Sequence, residues 1–181
     1  MKTVAVTDYG AGNLRSVLLA FERLGARAFA TDDPAAIAGA DLAVLPGVGS
    51  ARTAMKALTE SGLSDALQVR RGRTLGICLG LQLALEESEE DGGVPGLGLV
   101  PGRAVRLDGE RVPRIGWAPL EPSGTAYYFA HSYAAVTPAA VATSEGIVAE
   151  VEWGGFTGVQ FHPEKSGSAG AAWLKRCLSR V

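Results

Sequence analysis

Residues 75–82 read Leu-Gly-Ile-Cys-Leu-Gly-Leu-Gln, so a cysteine stands between two glycines at the end of an apolar run. The segment up to Cys78 has the composition of a buried strand, and the segment after it has that of a helix. A strand, a tight turn and a helix in this order form the G-x-C-x-G version of a nucleophile elbow. Flanking glycines have no Cβ and allow a sharp turn and close helix–strand packing. The pattern predicts a reactive thiol.

Strands and helices alternate around this stretch through the first half of the chain. The predicted strands cover residues 3–9, 26–31, 41–45 and 74–78. The predicted helices begin after Asn13, at Pro34, before Met55, before Leu63 and at Leu79, and the last runs to residue 87. Such an alternation returns each strand parallel to its neighbours. We therefore predict an α/β fold with a central, mostly parallel, doubly wound sheet flanked by helices.

The second half of the chain has a different pattern. Predicted strands joined by Gly and Pro turns cover residues 103–107, 112–120, 126–136, 147–153 and 156–161, and a helix covers residues 169–178. These strands are expected to add antiparallel pairs to the fold. The acidic run at residues 86–93 is predicted to be a solvated loop. Because no linker or repeat interrupts the sequence, we expect residues 1–181 to form a single domain.

The composition excludes several classes of protein. Of 181 residues, 47% are hydrophobic and 20% are charged, and the formal net charge is −2. Without a basic cluster, binding to nucleic acid is not expected, and the apolar stretches are too short to span a membrane. Two cysteines and two histidines without metal-ligand spacing predict no metal site, no disulfide framework and a reducing cytoplasm. No cofactor is expected.

Cys78 is predicted to lie at the N-terminus of the helix that follows it. Unpaired N–H groups and the helix dipole favour an anion there, which lowers a thiol pKa from about 8.5 towards about 3.5–7.5. The amide of Leu79 is placed to donate to an oxyanion on an attacked carbonyl. The alternative is a buried cysteine beside unrelated glycines. A nearby base would decide between the two.

Only two histidines can supply this base, His131 and His162. Pro163 favours an extended backbone at His162, in which residues two apart project to the same side. Glu164 is therefore placed to hold one ring nitrogen while the other faces the thiolate, as nucleophile, base and orienting carboxylate require. His131 lies among aromatic residues without a nearby carboxylate. It is the weaker candidate, expected to be structural or to line a pocket.

GICLGLQ at residues 76–82 and VQFHPEKS at residues 159–166, in this order, resemble the class I (triad) glutamine amidotransferases. The resemblance implies a flavodoxin-like glutamine amidotransferase fold and hydrolysis of L-glutamine to glutamate and ammonia. It implies that Cys78 forms the glutamyl thioester, that His162 shuttles protons and that Glu164 orients His162.

Four further stretches of the sequence make the resemblance more specific, because they match one group within this family. They are DYGAGNLRSV (8–17), LPGVGS (45–50), PRIGWA (113–118) and FAHSY (129–133). They are similar to the glutaminase subunits of imidazole glycerol phosphate synthases, which pass ammonia to a cyclase subunit, a (β/α)8 barrel, in histidine biosynthesis. The resemblance implies such a cyclase as partner. Because ammonia in neutral water is mostly protonated and then not nucleophilic, a closed passage to the cyclase is expected.

The resemblance also implies roles beyond the three catalytic residues. The oxyanion and substrate-binding positions that it indicates are Gly47, Val48, Gly49, Leu79, Gln82, His131, Ser132 and Tyr133. Gln82 lies one helical turn beyond Cys78 and thus on the same face. Alternatively, it is a surface residue, and the two residues after His131 are ordinary strand residues. Asn13 and Trp117 are the indicated docking positions, although a tryptophan could equally belong to the core.

Several points stay open from the sequence. The chain departs from the family at Ser50-Ala51, where a bulky residue is frequent, and at Gly167, where Gln is frequent. One alternative keeps the triad but serves another acceptor, as in pyridoxal phosphate or anthranilate synthesis or in a free-standing γ-glutamyl hydrolase. The other is a non-catalytic interaction protein with the same fold. Cys177, without any motif, is expected to pack within a helix or to be a surface thiol.

Overall fold

The structure, a computed structural model, describes residues 1–10, 13–70, 72–109 and 112–181. Its α-helices are α1 (Leu14–Glu22), α2 (Pro34–Gly39), α3 (Ala51–Glu60), α4 (Leu63–Val69), α5 (Leu79–Ala84) and α6 (Gly167–Leu178). Its strands are β1 (Thr3–Thr7), β2 (Arg27–Thr31), β3 (Leu42–Leu45), β4 (Arg73–Ile77), β5 (Glu87–Ser88), β6 (Val94–Pro95), β7 (Arg103–Arg106), β8 (Arg114–Pro119), β9 (Ala126–His131), β10 (Tyr133–Val136), β11 (Ala140–Ser144), β12 (Ile147–Trp153) and β13 (Phe156–Val159). Among these residues, no helix combines the length and the apolar character that crossing a membrane requires.

A seven-stranded sheet forms the centre of the fold, in the order β11-β12-β13-β4-β3-β1-β2. The strands from β13 to β2 pair in parallel, and β12 and β11 add antiparallel to the β13 edge. The predicted mostly parallel sheet with antiparallel strands from the second half is confirmed. Since parallel strands share a carboxyl edge, the loops after β1, β3, β4 and β13 all leave the sheet on one side.

Two hydrophobic cores lie on the two faces of this sheet, because successive strand residues point to opposite sides. Val4 and Val6 of β1 pack in the core that contains α1 and α6, whereas Ala5 packs in the core of α2, α3 and α4. Phe21 of α1 is fully buried in the first core, which contributes roughly 1.5–3 kcal/mol to stability. The central sheet is therefore covered by apolar packing on both faces.

Side-chain caps fix the starts of α1 and α2, at the positions where the sequence predicts helices to begin. The side chain of Asn13 accepts the amide of Ser16 at 3.4 Å, and that of Asp33 accepts the amide of Ala35 at 2.9 Å. Such caps satisfy backbone donors that have no partner within the helix. The predicted turn before Asn13 includes residues 11 and 12, which lie outside the described residues.

The helix predicted to run from Leu79 to residue 87 is shorter than expected and ends at Ala84. The carbonyl of Leu83 accepts the amide of Leu97 at 2.8 Å, and that of Ala84 accepts the amide of Leu99 at 2.8 Å. In a longer helix these carbonyls would accept the amides four residues further on. Here they accept amides of residues 97 and 99 instead, and the helix ends. The prediction was wrong because these hydrogen bonds join segments more than a dozen residues apart, which the helical periodicity of the sequence does not reveal.

The single strand predicted over residues 126–136 is two strands that belong to different sheets. β9 pairs with β8 in a two-stranded ribbon, whereas β10 pairs with β7 in a four-stranded sheet of order β10-β7-β5-β6. Ser132 lies between them, where the chain changes partner. β11 was not predicted from the sequence at all.

The prediction that residues 86–93 form a solvated loop was right in that six of the eight residues are exposed, but wrong in that the run contains regular structure. Ser88 is buried in β5, and a 3₁₀ turn covers Glu90–Gly92. A carboxylate oxygen of Glu90 accepts the amide of Ala51 at 2.9 Å, and one of Asp91 accepts the amide of Arg52 at 3.2 Å. The acidic run therefore caps the N-terminus of α3, where carboxylates are favourable.

Candidate active site

Neighbouring parallel strands bring the two sequence motifs together. β4 and β13 pair with Ile77 opposite Val159, and Cys78 and His162 follow these strands at the carboxyl edge. The amide of Cys78 donates to the carbonyl of Val159 at 2.7 Å. The amide of His162 donates to the carbonyl of Tyr128 in β9 at 2.8 Å. The fold thus joins residues that are distant in the sequence.

Cys78 forms the sharp turn between β4 and α5. Its backbone is left-handed, with φ +53° and ψ −109°, a conformation that costs a non-glycine residue about 1–3 kcal/mol. A Cβ at Gly80 would overlap the carbonyl oxygen of Leu45, and a Cβ at Gly76 would lie 2.8 Å from the carbonyl oxygen of Gly80. Both glycines are therefore needed for α5 to approach the sheet.

His162 and Glu164 form a buried pair. Nδ1 of His162 lies 2.9 Å from Oε1 of Glu164, and the two side chains are 5% and 3% exposed. His162 has an extended backbone, φ −102° and ψ 94°, before Pro163 opens a 3₁₀ turn. The two side chains therefore reach the same side, as the sequence predicts. The second carboxylate oxygen of Glu164 is buried and has no partner among the described residues.

Cys78 and Glu164 hold the proton on His162. Burial alone would lower the pKa of His162, but hydrogen bonds and charge interactions with Cys78 and Glu164 outweigh it and raise the pKa to about 9. An imidazolium at neutral pH stabilises a neighbouring thiolate. The arrangement therefore suits an ion pair between Cys78 and His162.

His131 is in a different electrostatic environment. Its ring is buried, and Nδ1 lies 2.9 Å from the carbonyl oxygen of Tyr133, so Nδ1 carries the proton. Burial is the main cause that lowers the pKa of His131 to about 4. A ring with so low a pKa is neutral at physiological pH and is a weak proton acceptor, which favours His162 as the base.

We expect NMR titration to separate the two rings. Because the chain has only two histidines, one ring should titrate near pH 9 and the other near pH 4. Glu164→Gln removes the carboxylate charge and should lower the higher value by about one unit or more. His131→Gln assigns the signals. Two histidines that both titrate near pH 6.5 would contradict this electrostatic description.

A cavity of about 290 Å³ opens beside the thiol, near the lower end of the range for small-ligand sites. Its wall includes Cys78 and His162 together with every predicted oxyanion and substrate position. These positions are Gly47, Val48, Gly49, Leu79, Gln82, His131, Ser132 and Tyr133. The structure therefore brings together residues from four separate segments of the chain.

The loop after β3 lies directly on the start of α5. A Cβ at Gly47 would lie 2.6 Å from the amide nitrogen of Gly80 and would overlap the Cβ of Leu79. Gly49 has φ +99°, which favours glycine. Residues 47–49 and Leu79, from neighbouring segments, thus line the same cavity as the thiol.

Three polar residues of the site, Glu90, Gln160 and Lys165, were not predicted from the sequence. Glu90 lines the cavity, and burial is the main cause that raises its pKa. Nothing in the acidic run distinguishes this carboxylate from its neighbours. Gln160 is fully buried beside Cys78, and a polar residue within the apolar run before His162 was the available signal.

Three other singled-out residues lie away from the cavity wall. Asn13 caps α1. Trp117 is 59% exposed on β8 and contacts Tyr128 edge-on, with ring centroids 6.2 Å apart, so the core alternative was wrong. Cys177 is buried in α6, and burial raises its pKa to about 12, which makes it a packing residue.

Comparisons with known proteins agree with this geometry. The family model "Glutamine amidotransferase class-I" matches residues 5–181. Imidazole glycerol phosphate synthase subunit HisH of Methanothermobacter thermautotrophicus is 44% identical, over 98% of each chain. The protein of the same name from Exiguobacterium sibiricum is 42% identical, over 95% of this chain and 92% of its own.

Solved structures share the fold at lower identity. A crystal structure of a glutamine amidotransferase superimposes with a TM-score of 0.80 at 22% identity and covers 98% of this chain and 99% of its own. PurLQS from Thermotoga maritima has a TM-score of 0.69 at 18% identity, with complete coverage of both chains. The α/β architecture with its central sheet is therefore a known one.

Proposed function

The chain belongs to the class-I glutamine amidotransferase family, and from this membership we propose that it is the glutaminase subunit of an imidazole glycerol phosphate synthase. Relatives of that name are 40–44% identical over nearly their whole length. The observation that carries the proposal for the chemistry is that Cys78 and His162 line one cavity, with Glu164 held against the ring of His162 behind it. We propose that residues 1–181 act as one amidotransferase domain.

In the proposed reaction, the thiolate of Cys78 attacks the side-chain carboxamide carbon of glutamine. The oxyanion that forms is stabilised by amides of residues 47–49 and Leu79. His162, held by Glu164, donates its proton to the departing nitrogen, so the carbon–nitrogen bond breaks and ammonia leaves a glutamyl thioester. Water, deprotonated by His162, then cleaves the thioester to glutamate and restores the thiol.

The charged groups of the cavity wall match a zwitterionic amino acid. Among its described lining residues, Glu90 supplies a carboxylate and Lys165 an ammonium group. We assign the α-ammonium of glutamine to Glu90, and Ser132 and Tyr133 to its amino-acid end. Burial raises the pKa of Glu90, and the positive charge of a bound ammonium group would oppose this effect by favouring the carboxylate.

We expect Glu90→Gln to raise KM for glutamine by about 10–100-fold with a smaller change in kcat, because a charge-assisted hydrogen bond is lost. A carboxamide oxygen can still accept the amide of Ala51, so the fold should be kept. Glu89→Gln is the matched control, since that carboxylate accepts the amide of Arg106 at 3.2 Å instead. Equal KM values for the two variants would refute the assignment of Glu90.

The cyclase is proposed to dock beside the cavity. Ile115 and Trp117 on β8 are 63% and 59% exposed, and exposed apolar side chains of this size suit an interface. Ile115 also lines the cavity itself. Together with Asn13, this surface would close the site against water and let ammonia pass unprotonated to the cyclase.

The test of the function is glutamine turnover by the purified chain, alone and with a (β/α)8 cyclase and its ribonucleotide ligand. We expect weak turnover alone and strong stimulation in the complex. Full turnover without a partner would favour a free-standing hydrolase. No turnover in either condition, with folding confirmed by circular dichroism, would favour a non-catalytic protein on the same fold.

A further inference from the structure

Gln160 is a fully buried polar residue that the proposed reaction leaves without a role. Its side-chain nitrogen lies 3.5 Å from Sγ of Cys78, and its side-chain oxygen lies 3.1 Å from the side-chain nitrogen of Gln82. Burying a carboxamide is unfavourable unless its polar atoms are hydrogen-bonded. An apolar side chain would fill the same space without this cost, so the carboxamide calls for an explanation.

A backbone carbonyl fixes the direction of these hydrogen bonds. The side-chain nitrogen of Gln82 lies 2.8 Å from the carbonyl oxygen of Tyr133, which can only accept. Gln82 therefore turns its NH₂ group to that carbonyl and uses its second proton for the side-chain oxygen of Gln160. In the reverse orientation of Gln160, two NH₂ groups would face each other and an oxygen would face the sulfur. The NH₂ group of Gln160 is consequently directed at Cys78.

A donor in this position acts in addition to the imidazolium of His162, the charged group that faces the sulfur, and it matters because the remaining surroundings are unfavourable or weak. The carbonyl oxygen of Ala130 lies 3.7 Å from Sγ, where it accepts from a thiol but repels a thiolate. α5 has only six residues, so its dipole is small. A thiolate accepts hydrogen bonds far more strongly than a thiol does. The N–H of Gln160 thus opposes the effect of Ala130.

We propose that Gln160 is a catalytic residue whose carboxamide N–H stabilises the thiolate of Cys78, and that Gln82 is a positioning residue that fixes the donating orientation of Gln160. The inference deepens the proposed glutaminase function and rests on it for the consequence in turnover. Both protons of the Gln82 carboxamide are used in this chain of hydrogen bonds. Gln82 therefore offers the substrate its oxygen, as an acceptor.

The test is the pH dependence of Cys78 alkylation by iodoacetamide in the full chain with Cys177→Ala, so that a single thiol is present. Gln160→Met removes the donor and keeps an unbranched side chain of similar length. We expect the alkylation midpoint to rise by about one to two pH units, and kcat/KM of the cyclase complex to fall about 10–100-fold. Gln82→Met should shift the midpoint less, because Gln160 remains but can turn.

Gln68→Met is the matched control. The carboxamide of Gln68 donates to the carbonyl of Leu97 at 2.8 Å, outside the cavity, so both the alkylation midpoint and turnover should be unchanged. Gln160→Glu is a nearly isosteric second variant that places a carboxylate oxygen beside the sulfur, and it should raise the midpoint further. Circular dichroism checks that each variant is folded. The alkylation midpoint of any one folded variant of Gln160 or Gln82 is sufficient to test the inference.

An unchanged alkylation midpoint in the folded variants would overturn the inference, even if their turnover is reduced. The alkylation measurement uses neither glutamine nor cyclase. Absence of glutaminase activity in the parent complex would therefore refute the proposed function without affecting the result for the thiolate. The two failures are distinguishable.

Discussion

Cys78→Ser is expected to abolish glutamine-dependent synthesis by the cyclase complex, with a loss of at least about 10⁴-fold in kcat. A serine hydroxyl is far more basic than a thiol, so the pair with His162 cannot supply an equivalent anion at neutral pH. Serine is similar in size and can occupy the same turn. The measurement compares synthesis from glutamine with synthesis from added ammonium salt, which should continue because the cyclase reaction needs no thiol.

Cys177→Ala is the control for this prediction. That thiol is buried in α6, and its pKa is raised to about 12, so its loss should leave both activities close to those of the parent complex. If Cys78→Ser retained glutamine-dependent synthesis, the nucleophile would be misassigned. Circular dichroism and co-elution with the cyclase separate a loss of chemistry from a loss of fold or assembly, since the ammonia-dependent activity reports on the cyclase alone.

The strained turn at Cys78 is stable because independent contacts hold it from several sides. The amide of Cys78 donates to Val159 on the neighbouring strand, and Gly80 packs so closely on Leu45 that no larger residue fits. Strain of this kind persists only where the surroundings over-determine it. The same contacts place the thiol within reach of His162, so the fold and the arrangement of the site depend on each other.

Local sequence patterns predicted those parts of the fold that depend on local physics. The alternation of apolar strands and amphipathic helices, the cap at Asn13, the proline at the start of α2 and the glycine pair around Cys78 all act over a few residues. They sufficed to predict a mostly parallel sheet flanked by helices. They also located the thiol, the imidazole and the carboxylate, since Pro163 constrains the backbone between the last two.

The elements that were not predicted depend on partners distant in the sequence. The break at Ser132 arises because β9 and β10 pair with different strands. Glu90 differs from its acidic neighbours only through its contact with Ala51 and the cavity. Gln160 acquires its orientation from Gln82 and a carbonyl in β10. None of these contacts leaves a periodic signal in a single sequence.

The two histidines provide the sharpest test of the assigned base. We expect His162→Gln to lower kcat/KM for glutamine by about 10²–10⁴-fold, because it removes the proton donor and acceptor of both steps. His131→Gln should lower it less than about 10-fold, since a glutamine NH₂ can replace the neutral hydrogen bond to Tyr133. Ammonia-dependent synthesis should be retained by both variants, and co-elution with the cyclase in size-exclusion chromatography confirms assembly. A larger loss in His131→Gln than in His162→Gln would assign the base to His131 and contradict the proposal. The structure argues against that outcome, because the pKa of His131 lies near 4, too low for the ring to hold the proton that the departing ammonia needs at neutral pH.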